Sequence, residues 1–173
     1  RMVSRENLDE PGWLTLLESR LCASIGRRKP LLVKDTDACR LCFSEADELP
    51  GLVADKYGDL IILQLLAKGL DSKAVREICV RVFCKELQPA SIVERPDPRV
   101  RELEGIAAPN LAPMWSVDPA KPVTGTQFKL NGLLFHYDGN AGQKTGAFLD
   151  QRANYLAARD WSKKLGLERG RAL

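Results

Sequence analysis

The sequence of 173 residues lacks the features that define several common classes of protein. No apolar run approaches the roughly 18–20 residues of a membrane-spanning helix. The longest run, 60–67, is interrupted by Gln64. The first residues are not followed by the apolar segment of a secretory signal peptide. We therefore expect a globular protein that is neither embedded in a membrane nor secreted.

Disulfide frameworks and metal-ligand clusters are lacking as well. The five cysteines are an odd number, and all lie in apolar or amphipathic runs: Cys22, Cys39, Cys42, Cys79 and Cys84. This pattern favours reduced thiols in the cytoplasm. Cys39 and Cys42 have the spacing of a zinc knuckle, but no second pair accompanies them, and strand alternation predicts that they lie on opposite faces. We predict buried thiols and no metal site, and we expect the single histidine, His136, on a strand surface.

An excess of one charge is absent too, since 26 basic and 23 acidic residues give a net charge of only +3. The distribution of the basic residues therefore matters more than their number. Arg27, Arg28, Lys29 and Lys34 gather near the end of the first predicted helix, with few acidic residues close to them in the sequence. They are the best candidates for phosphate contact, and a solvated surface is the alternative.

The hydrophobic pattern predicts a mixture of helices and strands. Helical periodicity covers 9–28, 70–87 and 148–161, and strand patterns cover 39–43, 52–57, 60–65 and 91–94. The nearly continuous apolar run 60–65 indicates a central strand, whereas 96–122 is predicted to be mostly irregular. Asn131-Gly132 between two apolar runs predicts a type I′ hairpin turn.

These elements alternate without a regular βαβ rhythm, which indicates an α+β fold with a mostly antiparallel sheet, hairpins and packed helices. We divide the chain into an N-terminal helix with a basic connection (1–34), a central α+β domain (35–138), and a loop and helix (139–173). The last residues resemble a loop that leads into another strand, and an arginine precedes Met2, so we expect a piece of a longer protein.

The glycine-rich segment 138–146 superficially resembles a phosphate-binding loop. A Walker A motif requires glycine where this sequence has Asp138 and Gln143, so nucleotide triphosphate hydrolysis is not predicted. The loop still leads directly into a helix, which is a geometry suited to ligand approach. An ordinary surface connection is the alternative.

Three segments together resemble one family. They are 40–59 (RLCFSEADELPGLVADKYGD), 100–105 (VRELEG) and 142–152 (GQKTGAFLDQR). In order and spacing they resemble the central region of the class I SAM-dependent 23S rRNA methyltransferases that modify cytosine C5, the RlmI-like group. The resemblance extends from about residue 35 to the end of the chain, and its third segment is the most specific.

The resemblance implies an upstream PUA domain, this α+β domain, and a Rossmann-like methyltransferase domain before which the chain is truncated. It implies SAM as cofactor, bound mainly by the later domain, and ribosomal RNA as partner, held here by the four basic residues named above. The residues implied to face the cofactor cleft are Lys144, Thr145, Phe148, Asp150, Gln151 and Arg152. Family members usually carry a second aromatic residue at the position of Ala147.

The implied reaction begins with attack of a cysteine thiolate on C6 of cytosine, followed by methylation of C5, loss of a proton and release of the enzyme. None of the five cysteines here lies in a matching motif, so this chain would grip RNA and form one side of the cleft, without activity of its own. Two alternatives stay open: a non-catalytic α+β RNA-binding module, and a methyltransferase for another RNA or base. A homodimer is one possible assembly.

Overall fold

The computed structural model describes residues 4, 7–107, 113–139 and 147–166. Within these ranges the chain forms four α-helices, seven strands and four short 3₁₀ turns. The helices are α1 (Glu10–Arg28), α2 (Lys73–Leu87), α3 (Pro98–Glu104) and α4 (Arg152–Lys164). The strands are β1 (Ala38–Phe43), β2 (Leu52–Tyr57), β3 (Leu60–Leu65), β4 (Ser91–Glu94), β5 (Trp115–Ser116), β6 (Gly125–Leu130) and β7 (Leu133–Asp138).

Five strands form one sheet in the order β1-β2-β3-β4-β5, and β6 and β7 form a separate hairpin. Only the β3–β4 pair is parallel among the strand pairs of the described chain, because α2 carries the chain back between those two strands. All six residues of β3 are buried, which confirms its predicted central position. The mostly antiparallel α+β fold is likewise confirmed.

Helices α1 and α2 cover one face of the sheet. Asp9 caps α1 by accepting a hydrogen bond from the backbone N–H of Gly12 at 2.9 Å, and Ser72 caps α2 through Val75. Leu17 and Leu21 of α1 are fully buried in the core that the helices share with the sheet. The predicted N-terminal segment 1–34 thus contributes to the same core as the predicted central domain.

The hairpin β6–β7 covers part of the opposite face. The buried ring of Tyr57 stacks on Tyr137 at 4.5 Å between ring centroids and meets the edge of Phe128 at 5.1 Å. Positive φ angles at Asn131 (52°) and Gly132 (77°) agree with the predicted type I′ turn. The hairpin therefore forms a second, aromatic core on this side of the sheet.

Two sequence predictions differ from the structure. The stretch 96–122 contains α3, capped by Asp97 through the N–H of Val100 at 3.1 Å, and the short strand β5. A helix of two turns is too short to show periodicity in the sequence. The last helix begins at Arg152, after a 3₁₀ turn over Leu149–Gln151, and not at Phe148.

Over the described ranges, no helix combines the length and apolar character needed to cross a bilayer.

Candidate functional site

The segment that precedes α4 is anchored to the second face of the sheet. The N–H of Ala147 donates to the hydroxyl oxygen of Tyr57 at 3.2 Å, and Leu149 is buried in the aromatic core. At the start of α4, the side-chain amide of Asn131 donates to the backbone carbonyl of Arg152 at 3.3 Å. Because the turn is fixed at these points, the side chains between them have a defined position above the sheet.

Four of the six residues predicted to face the cofactor cleft lie on this segment. Phe148 is 62% exposed, Asp150 is exposed, and Gln151 and Arg152 are half-buried. Gln151 also accepts a hydrogen bond from the side chain of Asn154. The other two, Lys144 and Thr145, lie outside the described residues. The structure therefore groups an exposed ring, a carboxylate, an amide and a guanidinium on one turn.

The four basic residues predicted for phosphate contact lie at the end of α1 and just beyond it. In space they are not free of acidic neighbours: Arg27 pairs with Asp47 at 2.7 Å, and Lys29 pairs with Glu86 at 2.6 Å. Few acidic residues are close to the cluster in the sequence, but the fold brings in carboxylates that are distant in sequence. Arg27 is still 55% exposed at its side chain.

Lys34 differs from the other three residues of the basic cluster. It is exposed, and within the described ranges its ammonium group has no hydrogen-bond or ion-pair partner. Its charge is therefore less neutralised than the charges of Arg27, Arg28 and Lys29. Contact between the cluster and RNA stays a prediction, and Lys34 is its most available member.

The two free cysteines of β1, Cys39 and Cys42, lie in the same hydrophobic core. The register between β1 and β2 shifts between Arg40 and Cys42, so that Cys39 and Cys42 both pack in the core under the helices. The expectation of opposite faces is wrong because this irregularity breaks the alternation. Burial raises the pKa of each thiol to about 11, so both are protonated at neutral pH.

Cys79 is also buried, and burial raises its pKa to about 12. A protonated thiol is a poor nucleophile and a poor metal ligand. Among the described residues, no group of three or more His, Cys, Asp or Glu side chains is placed to hold a metal ion. His136 lies exposed on β7, as expected from the sequence.

The second of the matching segments, 100–105, contributes Arg101 to a partly buried ion-pair network. Arg101 is only 4% exposed, and it donates to Glu94 at 3.3 Å and lies 3.5 Å from Asp71. Arg76 of α2 binds the same two carboxylates at 2.7 and 2.6 Å. This network fastens α3 to β4 and to the start of α2, so Arg101 has a structural position.

Sequence reasoning missed an ion pair on the sheet face beside the anchored turn. Arg40 and Asp55 are opposite each other on β1 and β2, and the guanidinium donates to both carboxylate oxygens at 2.8 and 2.9 Å. Asp55 is completely buried. The same guanidinium lies 4.9 Å above the centroid of the Phe43 ring. Only the pairing register, which a single sequence does not reveal, brings these groups together.

A cavity of about 860 Å³ opens next to Phe43. Two of the three matching segments meet there, because 40–59 contributes Phe43, Ser44 and Val53 to its wall and 100–105 contributes Val100 and Glu104. The wall is completed by residues of α1 and of the connection after β3. No pattern in the sequence indicates that these two segments border one cavity.

Comparison with known proteins identifies relatives across most of the chain, although no family model matches. "Ribosomal RNA large subunit methyltransferase I" of Alteromonas mediterranea is 33% identical over 158 residues, which is 91% of this chain and 37% of that protein. The protein of the same name from Aeromonas salmonicida is 34% identical over 131 residues, or 75% of this chain and 32% of its own length.

A solved structure shares the fold. A candidate SAM-dependent methyltransferase from Streptococcus mutans superposes with a TM-score of 0.61 at 21% identity, covering 87% of this chain and 36% of its own. At that identity the likeness concerns the fold alone. The sequence relatives show that this chain is a homologue of proteins named ribosomal RNA large subunit methyltransferase I, and it spans about a third of the length of those proteins.

Proposed function

We propose that the complete protein is a cytoplasmic SAM-dependent methyltransferase that modifies cytosine C5 in 23S ribosomal RNA. The observation that carries the proposal is the 33% identity to a ribosomal RNA methyltransferase over 91% of this chain. The choice of cytosine C5 rests on the resemblance of the three matching segments. We further propose that residues 35–138 form a platform for RNA and that 139–173 form one side of the active cleft, with 1–34 supplying the basic contact.

The chemistry of the anchored turn fits a position at the rim of a SAM site. Phe148 offers an exposed ring for the adenine, Asp150 a carboxylate for the ribose hydroxyls, and Arg152 a guanidinium for the amino-acid carboxylate. Gln151 adds an amide, and Lys144 and Thr145 are proposed to complete this rim. SAM, when bound, supplies the methyl group. The residues of this chain are proposed to hold and orient SAM. They do not supply the nucleophile, because the buried thiols of Cys39, Cys42 and Cys79 are protonated at neutral pH.

RNA contact is proposed for Arg27, Arg28, Lys29 and Lys34. Three of them share their charge with Asp47 or Glu86, so their attraction for phosphate is reduced but not abolished. Lys34 supplies the least compensated charge. A homodimer, if the protein forms one, would appear in light scattering as twice the monomer mass.

The proposal is tested by methyl transfer from tritiated SAM to unmodified transcripts of 23S and 16S rRNA, with the full-length protein. We expect label in the 23S transcript. Arg152→Ala should lower the rate about tenfold or more, because a misplaced substrate reacts slowly. Lys163→Ala, an exposed residue in the last turn of the same helix, is the control and should stay within about twofold of the wild type.

Three results would contradict the proposal or a part of it. A folded full-length protein that labels neither transcript would indicate a non-catalytic RNA-binding module. Label confined to 16S rRNA would indicate a methyltransferase for another RNA. Wild-type rates in Arg152→Ala would show that the anchored turn is only structural.

A further inference from the structure

We propose that the cavity beside Phe43 binds one unpaired base of the RNA substrate, an inference that rests on the proposed function and specifies where RNA is held. Phe43 ends β1, lines the cavity and is 50% exposed, so its ring is accessible to a ligand there. Exposed aromatic rings are the common stacking surface for bases of single-stranded RNA.

The Phe43 ring is backed by a fixed cation. Arg40 lies over one face of the ring at 4.9 Å from its centroid, and its two hydrogen bonds to the buried carboxylate of Asp55 hold it there. A guanidinium anchored in this way restricts rotation of the ring and polarises it. The ring is therefore pre-oriented for stacking, which lowers the entropic cost of binding.

The cavity wall carries groups that suit a base and its phosphate. Trp13 and Val53 supply apolar surface, and Glu104 is fixed at the rim by accepting a hydrogen bond from the backbone N–H of Lys68 at 3.2 Å. A carboxylate accepts hydrogen bonds from the exocyclic amino group of a base such as cytosine. In the described part of the chain the exposed ammonium group of Lys68 has no ion-pair partner, so it is available for the adjoining phosphate.

Size and local backbone support the same occupant. A volume of about 860 Å³ is within the range of small-molecule sites and accommodates a nucleotide. Ser44, in the cavity wall, has a φ of 46°, a left-handed conformation that is rare outside glycine and is often found at ligand sites. The convergence of segments 40–59 and 100–105 at this cavity gives those residues a shared role beyond the core.

The test measures binding of the full-length protein to a fluorescein-labelled twelve-residue oligocytidylate and to an abasic oligoribonucleotide of the same length. Phe43→Leu should weaken binding of the oligocytidylate by about 5- to 150-fold, the range for loss of one stacked base, and leave the abasic strand unchanged. Phe43→Tyr should keep binding within about threefold of the wild type, since a ring is retained. Leu134→Ala, which removes an apolar side chain that is 61% exposed on β7 and outside the three matching segments, is the control and should change neither value.

Binding of oligocytidylate that is equal in Phe43→Leu and wild type, or an equal loss for both strands, would overturn the inference. So would failure of the wild-type protein to bind oligocytidylate more tightly than the abasic strand. Methyl transfer to 23S rRNA, measured in parallel, separates the two proposals. If the wild type methylates 23S rRNA and Phe43→Leu has an unchanged KM for RNA, only the base-binding cavity is contradicted. If the wild type is inactive but Phe43→Leu weakens binding of the oligocytidylate alone, only the proposed methyltransferase activity is contradicted.

Discussion

Arg28 and Asp47 form a bidentate ion pair, in which both terminal nitrogens of the guanidinium donate to the carboxylate at 2.8 Å. Asp47 is 3% exposed and also accepts hydrogen bonds from Arg27 and from the N–H of Phe43. One carboxylate therefore joins the end of α1 to the turn after β1. The cluster that the sequence suggests for RNA contact thus contributes to folding as well.

Replacing Asp47 by Asn should destabilise the protein, because two arginines lose a buried acceptor charge. Breaking a buried pair costs about 3–5 kcal/mol, and the partial exposure of both arginines reduces the expected loss to about 2 kcal/mol. Glu48→Gln is the matched control, since Glu48 is 73% exposed in its pair with Arg20 and should cost less than about 1 kcal/mol. Urea unfolding measures both. Equal losses of unfolding free energy in the two variants would show that the buried carboxylate of Asp47 contributes no more than an exposed one.

The stability should depend on pH through Asp47 and Asp71. Burial would raise the pKa of Asp47, but hydrogen bonds from Arg28 and Arg27 outweigh it and lower the pKa below 3.8. A hydrogen bond from Arg76 lowers the pKa of Asp71 in the same way. Because both values lie below those of the unfolded chain, the stabilisation is complete above about pH 5 and is lost as the pH falls through the folded pKa values.

This pH effect is measured by urea unfolding between pH 7 and pH 3. The free energy of unfolding should decline below about pH 4 in the wild type, and less steeply in Asp47→Asn, which lacks one of the two titrating groups. A decline of the same slope in both proteins would show that Asp47 does not contribute.

Gly51→Ala should destabilise the turn before β2. Gly51 has a φ of 84°, and an added Cβ would lie 2.7 Å from the Cβ of Ala67 and 2.9 Å from its backbone nitrogen. We expect a loss of about 2 kcal/mol or more from strain and contact. Gly26→Ala is the control: it lies in α1 with open space around it and should stabilise by about 0.5–1 kcal/mol. Similar effects of the two changes on Tm would contradict a special backbone requirement at Gly51.

Tyr57→Phe should loosen the anchored turn while keeping the aromatic core. The lost hydroxyl bonds the backbone of Ala147, so we expect about 1 kcal/mol of destabilisation and, under the proposed function, a higher KM for SAM in the full-length protein. Tyr137→Phe removes another hydroxyl of the same core, which contacts Arg95 instead, and should leave that KM unchanged. An unchanged KM for SAM in Tyr57→Phe would show that the anchored turn does not contribute to SAM binding.

Lys34→Gln should reduce the salt dependence of RNA binding. If Lys34 contacts one phosphate, the slope of log K against log salt should fall by about 0.7–0.9. Lys29→Gln should change it less, because Lys29 already shares its charge with Glu86 at 2.6 Å. Equal slopes in Lys34→Gln and wild type would remove this residue from the RNA surface.

Local patterns were sufficient for elements whose signals lie within a few residues. The β2–β3 hairpin has the predicted bounds, and the Asn131-Gly132 turn has the predicted backbone. The pairing of Arg28 with Asp47 and of Lys29 with Glu86 was not predictable, because these partners lie 19 and 57 residues apart. The common face of Cys39 and Cys42 depends on a strand irregularity that no residue type signals.

The candidate site likewise combines features that the sequence predicts with features that only the folded structure reveals. The sequence indicated the turn with Phe148 and Arg152 through a family resemblance, and relatives identified by comparison agree with that family. The Arg40–Phe43 contact and the cavity beside it result from strand register and from the packing of α3, which sequence reasoning placed in an irregular region. Tertiary packing, not propensity, creates them.

The most direct measurement is nucleoside mass spectrometry of an unmodified 23S rRNA transcript after incubation with the full-length protein and SAM. We expect 5-methylcytidine that accumulates with time and is absent without SAM. Another methylated nucleoside, or no methylated nucleoside with a folded protein and intact RNA, would contradict the proposed methylation of cytosine C5.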